Sequence, residues 1–173
     1  MSCYGATSVA GDVLAAVLGW AEFIAITDQL GQTISADGSP DVVVGILRGG
    51  MIPAVRLSHL LGLRDVRALN VTHTTADGVN AAKTSRPLVH NSSSLGDVTG
   101  LDLLLVDDVA GTGETISVCR SILEAAGARN VRIAACALNK ANWRQSVDRD
   151  PGDVLTYLGV AYQGWVVFPW ETR

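Results

Sequence analysis

Two adjacent acids, Asp107 and Asp108, end the apolar run Leu103-Leu104-Leu105-Val106, and the loop Val109-Ala110-Gly111-Thr112-Gly113-Glu114-Thr115 follows at once. Paired carboxylates suit sugar hydroxyls or a hard cation such as Mg2+, which takes oxygen ligands. The loop suits a phosphate. Its two glycines let the backbone turn tightly, so that successive N–H groups point inward. A helix beginning at Glu114 adds its positive end, and Thr112 and Thr115 add hydroxyls. A ligand that has all three parts is a phosphorylated sugar carried with Mg2+. An ordinary strand-to-helix turn also uses Gly and Thr. The two acids behind a fully apolar run favour function over that reading.

A second segment, Arg48-Gly49-Gly50, interrupts an apolar stretch in the same way. A cation at a strand end, beside glycines that permit close backbone approach, suits a pyrophosphate. Read alone, it is slightly better explained as a surface arginine in a glycine turn; beside the Asp107 to Thr115 segment, function is favoured. Lys83 and Arg86 lie in the polar stretch Thr74 to Arg86, which has neither helical nor strand periodicity. A long patternless loop in a compact domain is usually functional or disordered; these two cations either close over a pyrophosphate or are simply solvated. His59, His73 and His90 have no metal or triad spacing and read as structural or exposed.

The elements that must position these residues follow from periodicity. Ala10 to Leu30 reads as a helix, with Val13, Leu14, Val17, Leu18 and Ala21 on one face, and Gly31 to Pro40 as a loop. Asp41 to Leu47 is a continuous apolar strand; Ile52 to Leu61 is a helix closed by Gly62. Val66 to Thr72 is a strand, and Pro87 to His90 a short edge strand with proline at its start. Leu101 to Val106 is the strand that delivers the acids, Glu114 to Ala126 a helix, and Val131 to Leu138 another apolar strand. Tyr157 to Val160 and Trp165 to Phe168 close the chain as short strands or a hairpin.

This alternation predicts an α/β fold with a central parallel sheet flanked by helices. Ligands of such sheets bind beyond the carboxyl ends of the strands. Arg48 to Gly50, Asp107 to Thr115, and Asn139-Lys140 all fall at that edge.

Composition narrows the function classes. With 173 residues, the chain is long enough for one domain with a substantial core, and we read 1–173 as that domain. Hydrophobic residues make up 48% and charged residues 17%, which argues against disorder. A net charge of -4 and the lack of a basic tail argue against nucleic acid as a partner. No apolar stretch is long enough to span a membrane, and no basic-then-apolar leader is visible at the N-terminus. Cys3, Cys119 and Cys136 lack metal spacing and read as reduced thiols, which with the other features predicts a cytoplasmic protein.

Rival glycine motifs fit less well. A dinucleotide fingerprint requires a third glycine where Ile116 stands, and the chain lacks the Gly-Lys-Ser/Thr of a Walker A loop. Asp108 to Gly113 looks superficially like a methyltransferase cofactor loop, but too little chain follows it for the rest of that sheet.

Apolar run, two acids, Val, two variable residues and Thr-Gly-x-Thr resembles the binding motif for 5-phosphoribosyl 1-pyrophosphate (PRPP) of the type I phosphoribosyltransferases. Val43 to Ala54 resembles that family's pyrophosphate loop and the helix after it, and Trp165 to Glu171 the C-terminal end of bacterial and archaeal xanthine-guanine and hypoxanthine phosphoribosyltransferases. The resemblance implies a small C-terminal hood of about residues 140–173 on the sheet domain. It implies PRPP and a purine base as substrates, Mg2+ as cofactor, and a homo-oligomer, dimer or tetramer. Asp107 and Asp108 would hold the ribose hydroxyls and the metal. Val109, Ala110, Gly111, Thr112, Gly113 and Thr115 would hold the 5-phosphate, and Arg48 and Gly49 the pyrophosphate, with the Leu47–Arg48 peptide cis in some states. Lys140 would donate to the base's O6; an ammonium only donates, which favours a 6-oxopurine over adenine. Trp165 would stack on the base and the Val166 backbone would read its edge. A solvated strand-end lysine and a core tryptophan are the plainer readings of Lys140 and Trp165.

The chain departs from the 6-oxopurine branch at Gly111, where those enzymes usually carry an Asp thought to assist the base's N7 proton. Either the base is not a standard 6-oxopurine, or Glu114 or a water acts as catalytic acid/base instead. A PRPP-binding regulatory protein without catalysis is a further alternative.

Overall fold

The computed structural model describes residues 14–74, 83–146 and 149–171. In chain order its elements are β1 (Leu14–Val17), α1 (Trp20–Ala36), β2 (Val42–Leu47), α2 (Met51–Leu60), β3 (Val66–Thr74), β4 (Lys83–Val89), β5 (Asp102–Ala110), α3 (Glu114–Ala125), β6 (Asn130–Asn139), α4 (Lys140–Ser146), α5 (Pro151–Val154), β7 (Tyr157–Tyr162) and β8 (Trp165–Val167). Six strands form the main sheet in the order β4-β3-β2-β5-β6-β7. Every neighbouring pair in it is parallel except β3 with β4.

The apolar runs form strands because both of their faces are covered. Successive residues of β5 alternate between two cores: Leu103 and Leu105 pack with Ile116, Cys119 and Leu123 of α3, whereas Leu104 and Val106 pack with Phe23, Leu30 and Ile34 of α1 and Leu57 of α2. Burial pushes the Cys119 thiol up to about 12, so it behaves as a small core residue.

The strand order fixes where a ligand can bind. From β2 the chain moves to β3 on one side, and from β5 it moves to β6 and β7 on the other. The switch point lies between β2 and β5, and the crevice there opens at their carboxyl ends.

The structure differs from the sequence expectations at the two ends. Residues 14–17, expected to be helical, form β1, which pairs in parallel with β8 in a separate two-stranded sheet. Helix α1 begins only after Gly19, whose N–H donates to Glu22 Oε2 at 3.0 Å. It runs through Gly31 to Ala36 instead of ending at Leu30. Gly31 is a packing site and not a breaker: a Cβ there would lie 3.1 Å from Leu60 Cδ1 of α2. Of the expected loop Thr74 to Arg86, residues 75–82 lie outside the described residues, and Lys83 to Arg86 belong to edge strand β4. Strands β7 and β8 are not a hairpin: β7 joins the main sheet beside β6, and β8 joins β1. Helices α4 and α5 carry no apolar repeat long enough to announce them. The first is started by Asn139, whose Oδ1 accepts from the N–H groups of Ala141 and Asn142 at 3.1 and 3.2 Å.

One glycine sets the height of α2 over the sheet. A Cβ on Gly45 of β2 would stand 2.9 Å from Ala54 Cβ and 3.0 Å from Met51 Cα. Gly45→Ala is therefore expected to lower stability by about 1–3 kcal/mol through overpacking. Thermal denaturation should show a fall of about 2–4 °C per kcal/mol for a chain of this size.

Candidate active site

Strand β5 stays paired with β6 as far as Ala110 and Leu138, but its pairing with β2 stops at Gly45 and Val106. The two acids stand just past that point, where β2 and β5 part. The turn Arg48-Gly49-Gly50 enters the gap. Gly50 is wedged so closely that a Cβ on it would lie 2.7 Å from both Ile46 O and Val106 O, and 2.9 Å from Asp107 Cα. A Cβ on Gly49 would overlap the Asp108 carboxylate. Only glycine lets this backbone lie against the acids. The Leu47–Arg48 peptide is cis, and Arg48 itself is exposed at the mouth of the crevice.

The acids share a network of backbone donors. The Asp108 N–H donates to Asp107 Oδ1 at 3.1 Å, and the Val109 N–H to Asp108 Oδ1 at 2.9 Å. Burial holds the Asp107 carboxyl well above the usual carboxylate range, and the neighbouring Asp108 adds to the shift. Burial also raises Asp108, to about 6, with the charge of Glu171 contributing and the Val109 N–H opposing. Two desolvated carboxylates that resist ionising side by side would gain from a cation or from hydroxyl donors. The donor set fits Mg2+, which commonly takes one or two carboxylates and completes its shell with substrate phosphates and water. Among the described residues no group of three His, Cys, Asp or Glu side chains could hold a metal.

Beyond the acids, the chain turns through Gly111 to Gly113 into α3. Gly113 is left-handed at φ 78°, and a Cβ on it would stand 2.9 Å from the Trp143 ring. Trp143 is buried on α4, its Nε1 donating to Arg149 O at 2.8 Å, so α4 buttresses the loop. Sequence reasoning missed this contact: Trp143 gave no signal separable from a core tryptophan. Gly111 is different. It lies outside the left-handed region, and a Cβ on it would meet nothing within 4 Å.

Glu114 opens α3 half-exposed, with its Oε2 2.7 Å from Nε2 of the buried His73 on β3 and accepting from Thr112 Oγ1 at 3.4 Å. Thr115 is half-buried in the first turn of α3. Val109 packs at the edge of one core and Ala110 lies inside the other.

The remaining candidates stand on other elements. Lys140 is the first residue of α4, at the carboxyl end of β6. Trp165 is half-buried on β8, while the Val166 side chain is buried, which leaves its backbone as the part that can meet a ligand. Glu171, unsuspected from sequence, accepts from the Phe168 N–H at 2.8 Å and brings a negative charge toward Asp108. Lys83 opens β4, and its side chain lies outside the described residues.

Residues 16–172 match the family model described as the phosphoribosyl transferase domain. The chain belongs to the phosphoribosyl transferase family. A phosphoribosyl transferase named xanthine-guanine phosphoribosyltransferase, from a Ruegeria species, is 30% identical over 139 residues, which is 78% of this chain and 70% of the relative. One of the same name from Gluconobacter oxydans is 29% identical over 130 residues, 75% of this chain and 68% of the relative. Among solved structures, the purine phosphoribosyltransferase of Pyrococcus horikoshii superposes with a TM-score of 0.71 at 29% identity, covering 91% of this chain and 94% of that one. The fold that carries the crevice is thus the family's α/β fold with its mostly parallel sheet and flanking helices.

Two expectations follow from the geometry. Gly113→Ala should cost about 1–3 kcal/mol because it strains a left-handed residue against an indole, whereas Gly111→Ala should stay within about 0.5 kcal/mol; chemical denaturation of the two variants tests the contrast. The acids also set a pH dependence. Asp108 goes from about 6 in the folded state to 3.8 unfolded, so between those values the native state binds more protons and stability falls as pH rises. The unfolding free energy of the wild type relative to an Asp107→Asn/Asp108→Asn variant should therefore decline from about pH 4 through about pH 6, and continue to decline above it because Asp107 is raised as well. A flat difference across that window would contradict the assignment.

Proposed function

We propose that this chain transfers the 5-phosphoribosyl group of PRPP to a 6-oxopurine base, guanine, xanthine or hypoxanthine, and releases pyrophosphate. The observation that carries the reading is the interlock of Gly49 with Asp108 at the switch point. It sets a turn suited to pyrophosphate directly against acids suited to ribose hydroxyls, with a phosphate-type loop on the same strand. The xanthine-guanine and purine relatives support the base class.

In this reading Asp107 and Asp108 accept from the ribose hydroxyls and face the metal. The N–H groups of the segment 111–115 and the Thr112 and Thr115 hydroxyls hold the 5-phosphate. Arg48 and the Gly49 backbone hold the pyrophosphate, and Lys83 closes over it. Lys140 donates to O6, Trp165 stacks on the ring, and the Val166 backbone reads its edge. The base nitrogen attacks C1 with inversion as the C1–O bond to pyrophosphate breaks through an oxocarbenium-like state. Most of the catalytic work is then positioning and charge stabilisation. Mg2+, when bound with PRPP, would supply charge neutralisation on the leaving diphosphate. We read the chain as one domain, 1–173, with a C-terminal hood of about 140–173, acting as a cytoplasmic homo-oligomer. Among the described residues no helix is long and apolar enough to cross a membrane.

The absence of a carboxylate at Gly111 keeps a second reading in view, a protein that binds PRPP without catalysis. A missing acid/base group is typically worth about 10²–10⁴-fold. Incubation with PRPP, Mg2+ and a panel of bases, followed by pyrophosphate release, separates the two. Turnover with guanine, xanthine or hypoxanthine is expected, with Lys140→Ala lowering kcat/KM by about 10–100-fold. Tight PRPP binding without turnover on any base favours the second reading, and turnover with adenine alone would overturn the role of Lys140.

A further inference from the structure

The first turn of α3 holds a conflict. Its free N–H groups and dipole attract any nearby anion, and Glu114, the first helical residue, is itself one. Left to itself, a carboxylate at this position competes with a ligand phosphate for the same donors and repels it. The structure shows where that carboxylate goes: Glu114 Oε2 lies 2.7 Å from His73 Nε2, with a longer 3.4 Å contact from Thr112 Oγ1 that a bound phosphate would take over. A carboxylate only accepts, so the imidazole donates from Nε2. The ring is held on its other side, with Nδ1 3.3 Å from Thr84 Oγ1 on β4. Thr84 Oγ1 also lies 2.8 Å from Arg86 O, and its one hydroxyl hydrogen serves either that carbonyl or Nδ1. His73 is buried and Glu114 half-exposed, so the anchor is the rigid partner and the carboxylate the one restrained.

We infer that His73 is a positioning residue for phosphoribosyl binding, latching the Glu114 carboxylate onto β3 and away from the anion that the 111–115 loop receives. The inference rests on reading that loop as the 5-phosphate cradle. It also assigns Glu114 a task other than replacing the acid missing at Gly111, because its carboxylate is committed to the latch. The latch joins β3, β4 and the start of α3, so the edge strand that carries Lys83 and the phosphate loop are held by one network.

Calorimetric titration of Mg2+ and PRPP into the full chain, with steady-state kinetics beside it, tests the latch. PRPP binding by the wild type is required by the functional reading alone; if that fails, the cradle assignment fails, whatever His73 does. Given binding, His73→Ala should raise the Kd and KM for PRPP about tenfold while leaving the KM for the base within about twofold. His73→Gln, which keeps a donor for the carboxylate, should recover most of the loss. The deciding variant is His73→Ala/Glu114→Ala. Once the carboxylate is gone there is nothing to restrain, and PRPP affinity should return to within about threefold of the wild type. An unchanged PRPP Kd in His73→Ala, or a double variant no better than His73→Ala, would overturn the latch. So would a loss that affects base and PRPP equally in both the Ala and Gln variants, which would mark His73 as a fold residue only.

Discussion

The parting of β2 from β5 beyond Gly45 and Val106 is the constraint on which the rest of the site depends. While the strands are paired, each backbone group has its partner in the ladder, and there is no room for a ligand. Where they separate, the freed space must be filled by something whose polar groups are satisfied. This chain fills it with a glycine turn from one side and two carboxylates from the other. Gly50 can sit between Ile46 O and Val106 O only because it has no side chain. Gly49 lies against Asp108 for the same reason. The glycines are thus a consequence of the opening and a condition for it.

The opening has an electrostatic consequence. Asp107 and Asp108 lie deep enough for burial to raise both, and Glu171 adds a further negative charge toward Asp108. Such an arrangement is unfavourable in the free protein and favourable once a cation or several hydroxyl donors arrive. The cost is carried by the two layers that clamp β5, since its residues alternate between the α1/α2 core and the α3 core. A strand buried on both faces can hold its end residues in a geometry that an exposed loop would relax.

Much of this was legible in the sequence, for identifiable reasons. Strands β2, β5 and β6 are short continuous apolar runs bounded by polar residues, and helices α2 and α3 have clear helical spacing closed by glycine, so their periodicity was decisive. The pairing of acids, glycines and threonines at strand ends located the crevice. What misled the reading was context that no local pattern carries. Leu14 to Val17 fits a helical face as well as a strand, and its pairing with β8 depends on residues about 150 positions away. Gly31 has a breaker's composition, yet it is a contact point with Leu60. Trp143, His73 and Glu171 each act through a partner distant in sequence, so their types alone said little.

The glycine loop shows most clearly how composition and geometry part company. From sequence, Gly111 and Gly113 look like equivalent members of one phosphate turn. In the fold they are opposites: Gly113 is left-handed and pressed against an indole, while Gly111 is neither strained nor crowded. The turn requires the second glycine and tolerates any small side chain at the first. The absence of a carboxylate at position 111 is therefore not imposed by the geometry of the turn. The compensating acid that the sequence suggests, Glu114, is drawn away to His73. At the α3 end of the loop the Glu114 carboxylate is thus partnered by an imidazole, whereas Asp107 and Asp108 at the other end accept from the backbone N–H groups of Asp108 and Val109. That contrast suits a ligand with an anionic end at the α3 side of the loop and hydroxyls or a cation at the acids.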